Sequence, residues 1–458
     1  MSAAAPAHER YRAFSNRKCC DLTLGAVTVV ELLSDMLGPD LPVALRAYDG
    51  SSLEPPAADT ALIVRSPSAL RRVVVAPNEL GFGRAYVAGE LDVEGDIFTV
   101  LGLQEQVNQI RLGPTQLLRG LRLLGIRSLK PLPPPPEEAR LRGRRHSPAR
   151  DAAAIAHHYD VSNEFYRIVL GPSLTYSCAV WTDTTTTLED AQANKYELIC
   201  RKLGLEPGMR LLDIGCGFGG MLLHAAQHHG VQAVGVTLSQ AQAELARQRV
   251  DEAGLNKQVD VRFGDYRYLD DGPYDAISSI GMFEHVGLTE LSRYFRRCHA
   301  LLAPEGRLLN HAISSPAHRG EMTHRRFARR RLGKDFTDRY VFPDGELHTI
   351  GAVITAIQAA GFEARHMESL REHYALTLRR WVHNLETRWD EAQQEVGTGR
   401  ARVWRLYMAA AALGFEQDEG EIYQVLATKT TNGRSGLPRR PSFVLPAETN
   451  ASTNAEEP

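Results

Sequence analysis

The sequence predicts an α/β protein in which a mainly parallel sheet carries helices on both faces, preceded by a smaller mixed α/β domain. Three observations predict it. Helix-like and strand-like stretches alternate from residue 188 to residue 312, a glycine-rich loop closes the first strand of that alternation, and the proline run Pro131 to Pro136 separates it from what precedes. The 458 residues, 43% hydrophobic and 24% charged, suffice for a large core and exclude wholesale disorder. A formal net charge of -2 argues against a globally basic nucleic-acid binder, so no nucleic-acid partner is expected. No stretch approaches the roughly 18–20 uncharged apolar residues of a membrane span. Met1 to Phe14 lack the apolar centre of a signal peptide. The six cysteines form no C-x-x-C pair and read as free thiols in a reducing cytoplasm.

Residues 1–130 read as an N-terminal lipid-docking or dimerisation domain. Leu41 to Tyr48 and Ala61 to Val64 are expected as strands and Pro67 to Val75 as a short helix. Glu79 to Glu94 mixes glycines, apolar residues and acids without triad or metal-ligand spacing. Leu117 to Lys130 alternates leucines with Arg119, Arg122, Arg127 and Lys130, a basic amphipathic helix suited to an anionic membrane surface. Residues 131–146 form the linker, stiff where proline-rich. From Arg111 to Arg150, ten basic residues face two acids.

In residues 147–430, Thr187 with Asp190 fits a capping box opening a helix over Leu188 to Leu203. Expected strands are Leu211 to Ile214, Ala233 to Thr237, Val259 to Phe263, Ala276 to Ile280 and Gly306 to Ala312. Expected helices are Met221 to His229, Gln240 to Ala253 and Leu291 to Leu301, with Gly254 suited to a helix end. His318 to Lys334 sets seven basic residues against Glu321 alone and reads as a rim for lipid phosphates. Residues 431–458 are poor in large apolar residues and read as a disordered tail.

The first strand runs into Leu211-Leu-Asp-Ile-Gly-Cys-Gly-Phe-Gly-Gly220. Gly215, Gly217 and Gly219 permit a tight turn and close approach of a ligand to the backbone, with a helix N-terminus behind. Gly215, Gly217 and Gly220 also satisfy the G-x-G-x-x-G dinucleotide pattern, which wants an acid about 20 residues on. The second strand offers Val234-Gly-Val-Thr-Leu-Ser239 instead. Asp213 within D-I-G-C-G-F-G has the form of an S-adenosylmethionine loop, the favoured cofactor.

His158-Tyr-Asp-Val-Ser-Asn163, Leu174-Thr-Tyr-Ser-Cys-Ala179, the loop to Gly220, Gly235-Val-Thr-Leu-Ser-Gln240, Gly281-Met-Phe-Glu-His-Val-Gly287 and Leu308-Leu-Asn-His311 occur in that order. Together they resemble the cyclopropane-fatty-acyl-phospholipid synthase family and its mycolic-acid-modifying relatives. Gly81-Phe-Gly-Arg-Ala-Tyr86 looks like the extra domain of the longer, phospholipid-acting members. The resemblance implies a seven-stranded Rossmann-like S-adenosylmethionine methyltransferase core with a helical cap. It implies methylation of a cis double bond in an unsaturated phospholipid acyl chain, a carbocation, deprotonation by bound bicarbonate, and ring closure. By resemblance, Glu284, His311 and Tyr374 contact bicarbonate and the Cys178 backbone adds an N–H. The cofactor would meet Tyr176, Ser177, Gly215, Gly217, Thr237, Leu238 and Gln242, with Asp265 and Tyr266 near the adenine.

Many members carry a cysteine in the late helix where this chain has Ala409 to Ala412, which reads as a smaller, drier pocket. A methylene- or methyl-branched product made with a partner reductase is the same-class alternative. A non-catalytic lipid- or nucleic-acid-binding module on this scaffold is the alternative of another class. A phospholipid membrane surface, a cytoplasmic and peripherally membrane-associated location, and a homodimer complete the expectations.

Overall fold

A computed structural model describes residues 27–38, 41–76, 78–103, 130–139, 161–183, 185–317, 336–342 and 345–445. The basic stretch before Lys130 and the basic segment 318–334 lie outside the described residues.

The N-terminal unit comprises α1 (Val29–Leu37), β1 (Ala44–Ala47), β2 (Ser52–Leu53), β3 (Ala61–Val64), α2 (Pro67–Val75), α3 (Glu79–Val87), β4 (Leu91–Glu94) and α4 (Ile97–Gly102). Its sheet has the order β2-β1-β3-β4. Thr28 and Glu31 form a full capping box on α1. The glycines of Gly81 to Tyr86 serve packing within α3. A Cβ at Gly83 would stand 2.3 Å from the Phe336 ring.

The larger unit runs α5 (Asn163–Leu170), α6 (Leu188–Leu203), β5 (Arg210–Ile214), α7 (Gly220–His229), β6 (Gln232–Thr237), α8 (Gln240–Glu252), β7 (Val259–Phe263), β8 (Tyr274–Ile280), α9 (Leu291–Leu301) and β9 (Leu302–Ser314). It continues through α10 (Phe336–Tyr340), α11 (Ile350–Ala359), β10 (Glu363–Ser369), α12 (Arg371–Thr387), α13 (Trp389–Val396), α14 (Thr398–Glu416) and β11 (Glu421–Thr428). The sheet is seven-stranded, in the order β10-β11-β9-β8-β5-β6-β7. Pairing is parallel from β9 through β8 and β5 to β7, and β11 runs antiparallel to both neighbours. The chain goes outward from β5 to β7 and returns beside β5 at β8. The β5/β8 junction is therefore the topological switch point, where a crevice opens at the carboxyl ends of the strands.

The expected elements form, with β8 and β9 longer than predicted. At α6, Thr187 Oγ1 accepts from Asp190 N at 3.1 Å, but the Asp190 carboxylate takes the Thr187 hydroxyl instead of its N–H, so the box is half closed. Two expectations are corrected. Residues 130–139 are not a free spacer: Arg71 and Arg72 donate to the carbonyls of Lys130 and Pro133, and Glu138 is buried in ion pairs with Arg84 and Arg339. Residues 431–445 are not a disordered tail. Arg201, Arg307 and Arg365 donate to the carbonyls of Val444, Gly436 and Pro438, and Leu445 is buried. Residues 446–458 lie outside the described residues.

Helix α14 is buried on most of its circumference, as expected of a helix apolar nearly all round. One side packs on α12 and another on α3 and α4 of the N-terminal unit. Arg402 donates to the Tyr86 and Leu91 carbonyls at 3.0 Å and pairs with Asp92. Arg405 donates to the Tyr86 hydroxyl, the Val93 and Gly95 carbonyls, and Glu386. One apolar core therefore spans the N-terminal unit and the cap. Truncating Arg405 to Ala leaves those buried acceptors short of a donor. The expected loss is roughly 1.5–3 kcal/mol of unfolding free energy, read by chemical denaturation. An unchanged midpoint would refute this role.

Candidate active site

The switch-point crevice is a cavity of about 470 Å³. All nine residues expected at the cofactor line it: Tyr176, Ser177, Gly215, Gly217, Thr237, Leu238, Gln242, Asp265 and Tyr266. Gly215 and Gly217 have φ of 80° and 53°, left-handed values that penalise other residues. A Cβ at Gly217 would meet nothing within 4 Å, so its requirement is conformational. Gly217→Val should therefore weaken S-adenosylhomocysteine binding about ten-fold by displacing the loop, measured by calorimetry. Unaltered affinity would show that the turn is not needed.

Thr237 donates from Oγ1 to Gln242 Oε1 at 2.8 Å, which ties the end of β6 to the first turn of α8. Leu238 between them is 40% exposed, an apolar face at the opening. Asp265 carries a bidentate pairing with Arg267, which also lines the cavity. Asp213 accepts from Ser278 Oγ at 2.6 Å and is pushed up to about 6 by burial. That bond fits a loop-shaping role.

Sequence reasoning missed Lys195. It is fully buried, lines the cavity, donates to Ser177 Oγ at 2.9 Å and lies 3.9 Å from the Tyr196 ring centroid. Burial brings it down to about 7, with Cys178 and Asp213 opposing. The available signal was helical: Lys195 falls on the stripe of Leu188, Ala191, Leu198 and Ile199, where a lysine is out of place. Glu290 and Arg293 also line the cavity without a sequence signal.

The four residues expected at the reaction centre adjoin this lining. Cys178 follows Ser177, Glu284 follows Met282 by two, and His311 pairs in register with Ile280. Glu284 lies on a short 3-10 turn beyond β8. Its Oε1 accepts from Ile313 N at 2.8 Å, while buried Oε2 has no partner among the described residues. Burial pushes this carboxyl up to about 7, with the Ile313 N–H opposing. His311 and Ile313, two apart on β9, face the same side of the sheet. His311 is fully buried, and Nε2 lacks a partner among the described residues. Burial, aided by Lys195 and Lys202, holds it well below the usual histidine range, so the ring is neutral.

The Cys178 thiol lies 3.7 Å from the Leu370 carbonyl, which also accepts from Tyr374 N at 3.1 Å. Burial raises that thiol far above neutrality, so it is no nucleophile. Tyr374 is buried on α12, with ring centroids 4.8 Å from Phe415 and 6.0 Å from Trp381. Tyr176 stacks on Trp381 at 5.3 Å and lies 5.5 Å from Trp404. The alanine run divides: Ala409 and Ala412 are buried, whereas Ala410 is exposed, so only part of it can narrow a pocket.

The residues thus fit S-adenosylmethionine: a bare backbone turn at the switch point, a polar second-strand end, and a closed aromatic wall beyond Ser177. Residues 146–425 match the family model for mycolic acid cyclopropane synthetase. The chain is 44% identical over 433 residues to a probable fatty acid methyltransferase of Mycobacterium tuberculosis, covering 92% of this chain and 99% of that protein. It is 31% identical over 372 residues to the cyclopropane-fatty-acyl-phospholipid synthase of Escherichia coli, covering 80% and 87%. The solved mycolic acid cyclopropane synthase CmaA1, complexed with SAH and CTAB, superposes with a TM-score of 0.57 at 33% identity, covering 61% of this chain and 98% of that one. The chain therefore belongs to the mycolic acid cyclopropane synthetase family and is an S-adenosylmethionine-dependent methyltransferase.

Proposed function

We propose that this enzyme methylates the cis double bond of an unsaturated phospholipid acyl chain and closes a cyclopropane ring. One observation carries the reading. In a largely apolar core, an unpartnered carboxyl oxygen of Glu284 and an unpartnered nitrogen of His311 stand on one side of β9. S-adenosylmethionine, when bound, supplies an electrophilic methyl group. The alkene that takes it becomes cationic and must then lose a proton where water is excluded. Trp381, Trp404 and Phe415, all buried, build the dry wall. Bicarbonate fits the orphan pair by donor count: His311 gives it a donor and Glu284 accepts from its hydroxyl. Tyr374 and the Cys178 N–H complete the proposed set, and the anion supplies a small base in a site too apolar for a hydrated one.

The enzyme is further proposed to work at the cytoplasmic membrane surface, engaging phospholipid through its basic segments, and to form a homodimer. Among the described residues no helix is long and apolar enough to cross a membrane.

The test is mass spectrometry of phospholipid acyl chains after expression in a host that makes monounsaturated lipids but lacks such an enzyme. The expected product is one methylene heavier and co-elutes with a cyclopropane standard, apart from its methylene-branched isomer. A saturated methyl-branched chain would instead indicate branching with a host reductase. Unmodified lipids, with folded protein that binds S-adenosylhomocysteine, would overturn the reading.

A further inference from the structure

Four buried or part-buried side chains from four elements form a line ending at His311. Glu368 on β10 pairs with Lys202 in the last turn of α6. Lys202 Nζ donates to Gln424 Oε1 at 2.7 Å. Gln424 Nε2 lies 3.1 Å from His311 Nδ1, across the register pair that joins β11 to β9. Lys202, Gln424 and His311 each have no exposed surface.

The chemistry of these groups allows one arrangement. An ammonium paired with a carboxylate has donors and no acceptor, so the Gln424 atom facing Lys202 must be its carbonyl oxygen. The amide nitrogen, again a donor only, then faces His311 Nδ1. That nitrogen must present a lone pair. A neutral imidazole carries one N–H, which is therefore on Nε2, the atom without a partner.

We infer that Gln424, Lys202 and Glu368 are positioning residues that lock His311 in the Nε2–H tautomer, so that it offers the site a hydrogen-bond donor and never a base. The inference rests on the proposed role of His311 beside the anion. It adds that the proton leaving the substrate does not go to His311. The imidazole instead holds an oxygen of the group that accepts the proton. It also explains why a buried lysine is kept at the end of α6: without its charge the Gln424 amide could reverse and turn the imidazole with it.

The test is nitrogen NMR of the full-length enzyme with 15N-labelled histidine rings, the His311 signals being assigned by their loss in His311→Gln. The expected result is a protonated Nε2 and a bare Nδ1. A protonated Nδ1, alone or in an imidazolium, would overturn the inference. Lys202→Met and Gln424→Met, measured in parallel in case one fails to fold, should each introduce signal from protonated Nδ1. Each should also lower kcat about ten- to hundred-fold, with affinity for S-adenosylhomocysteine unchanged. If neither variant shifts the tautomer, the relay is refuted. If the tautomer shifts and turnover does not, the relay stands and the proposed role of His311 falls.

Discussion

Glu284→Gln should lower turnover roughly 10²- to 10⁴-fold, the usual span for a group that manages a proton in a transition state. The substitution keeps the local structure. The Gln carbonyl oxygen can still accept from Ile313 N, as Glu284 Oε1 does now. It removes the second carboxyl oxygen, buried and without a partner among the described residues, which is the atom suited to a bicarbonate hydroxyl. Binding of S-adenosylhomocysteine should stay at the wild-type value, because Glu284 is not among the residues lining the cofactor cavity. The comparison is acyl-chain product per enzyme alongside calorimetry. Near-normal product formation would remove Glu284 from the reaction.

The same residue predicts a pH-dependent cost. Its carboxyl ordinarily titrates near 4.5 and is raised to about 7 in the folded protein, chiefly by burial. The folded state thus binds this proton more tightly than the unfolded chain. The stability it contributes is fully present below about 4.5 and is lost as pH rises through 7. Integrated over that window the change is about 3 kcal/mol. Glu284→Gln has no such proton, so it should gain on the wild type by about that amount between pH 4.5 and 8. Denaturant titrations at both ends of the range, in bicarbonate-free buffer, measure it. Parallel stability curves for the two proteins would mean that the carboxyl is not desolvated as the fold indicates. The two predictions describe one compromise, in which a buried acid costs stability to hold a proton site where water cannot reach.

What the sequence could and could not reveal follows from how local each feature is. The glycine loop, the ends of β6 and β7, and the turn after β8 are each written within a few consecutive residues, and all nine cofactor residues line one cavity. The relay on His311 is written nowhere locally. Residues 202, 311, 368 and 424 meet only because β11 inserts between β9 and β10 and α6 packs across them. Gln424, read alone, is a polar residue on an apolar strand. The misjudged ends of the larger unit have a similar cause. Pro- and Ser-rich composition signals weak self-association of a segment, but it does not register arginines elsewhere that capture its carbonyls, as Arg72 does at Pro133 and Arg307 at Gly436.

The arginines of α14 limit how this chain can be cut. By alignment, the solved cyclopropane synthase is complete in 61% of this chain's length. A fragment lacking the N-terminal unit would nonetheless leave Arg402 and Arg405 without the backbone carbonyls of Tyr86, Leu91, Val93 and Gly95. Both lie on the helix that also carries Trp404 and Tyr407 into the core. Once those guanidinium groups had become adapted to a neighbouring unit, deletion of that unit ceased to be a small step. The history is a ratchet: an appended piece became obligatory through the partners it gave to charges on the catalytic side. The two units, separable on paper at the proline run, are inherited and melt as one body.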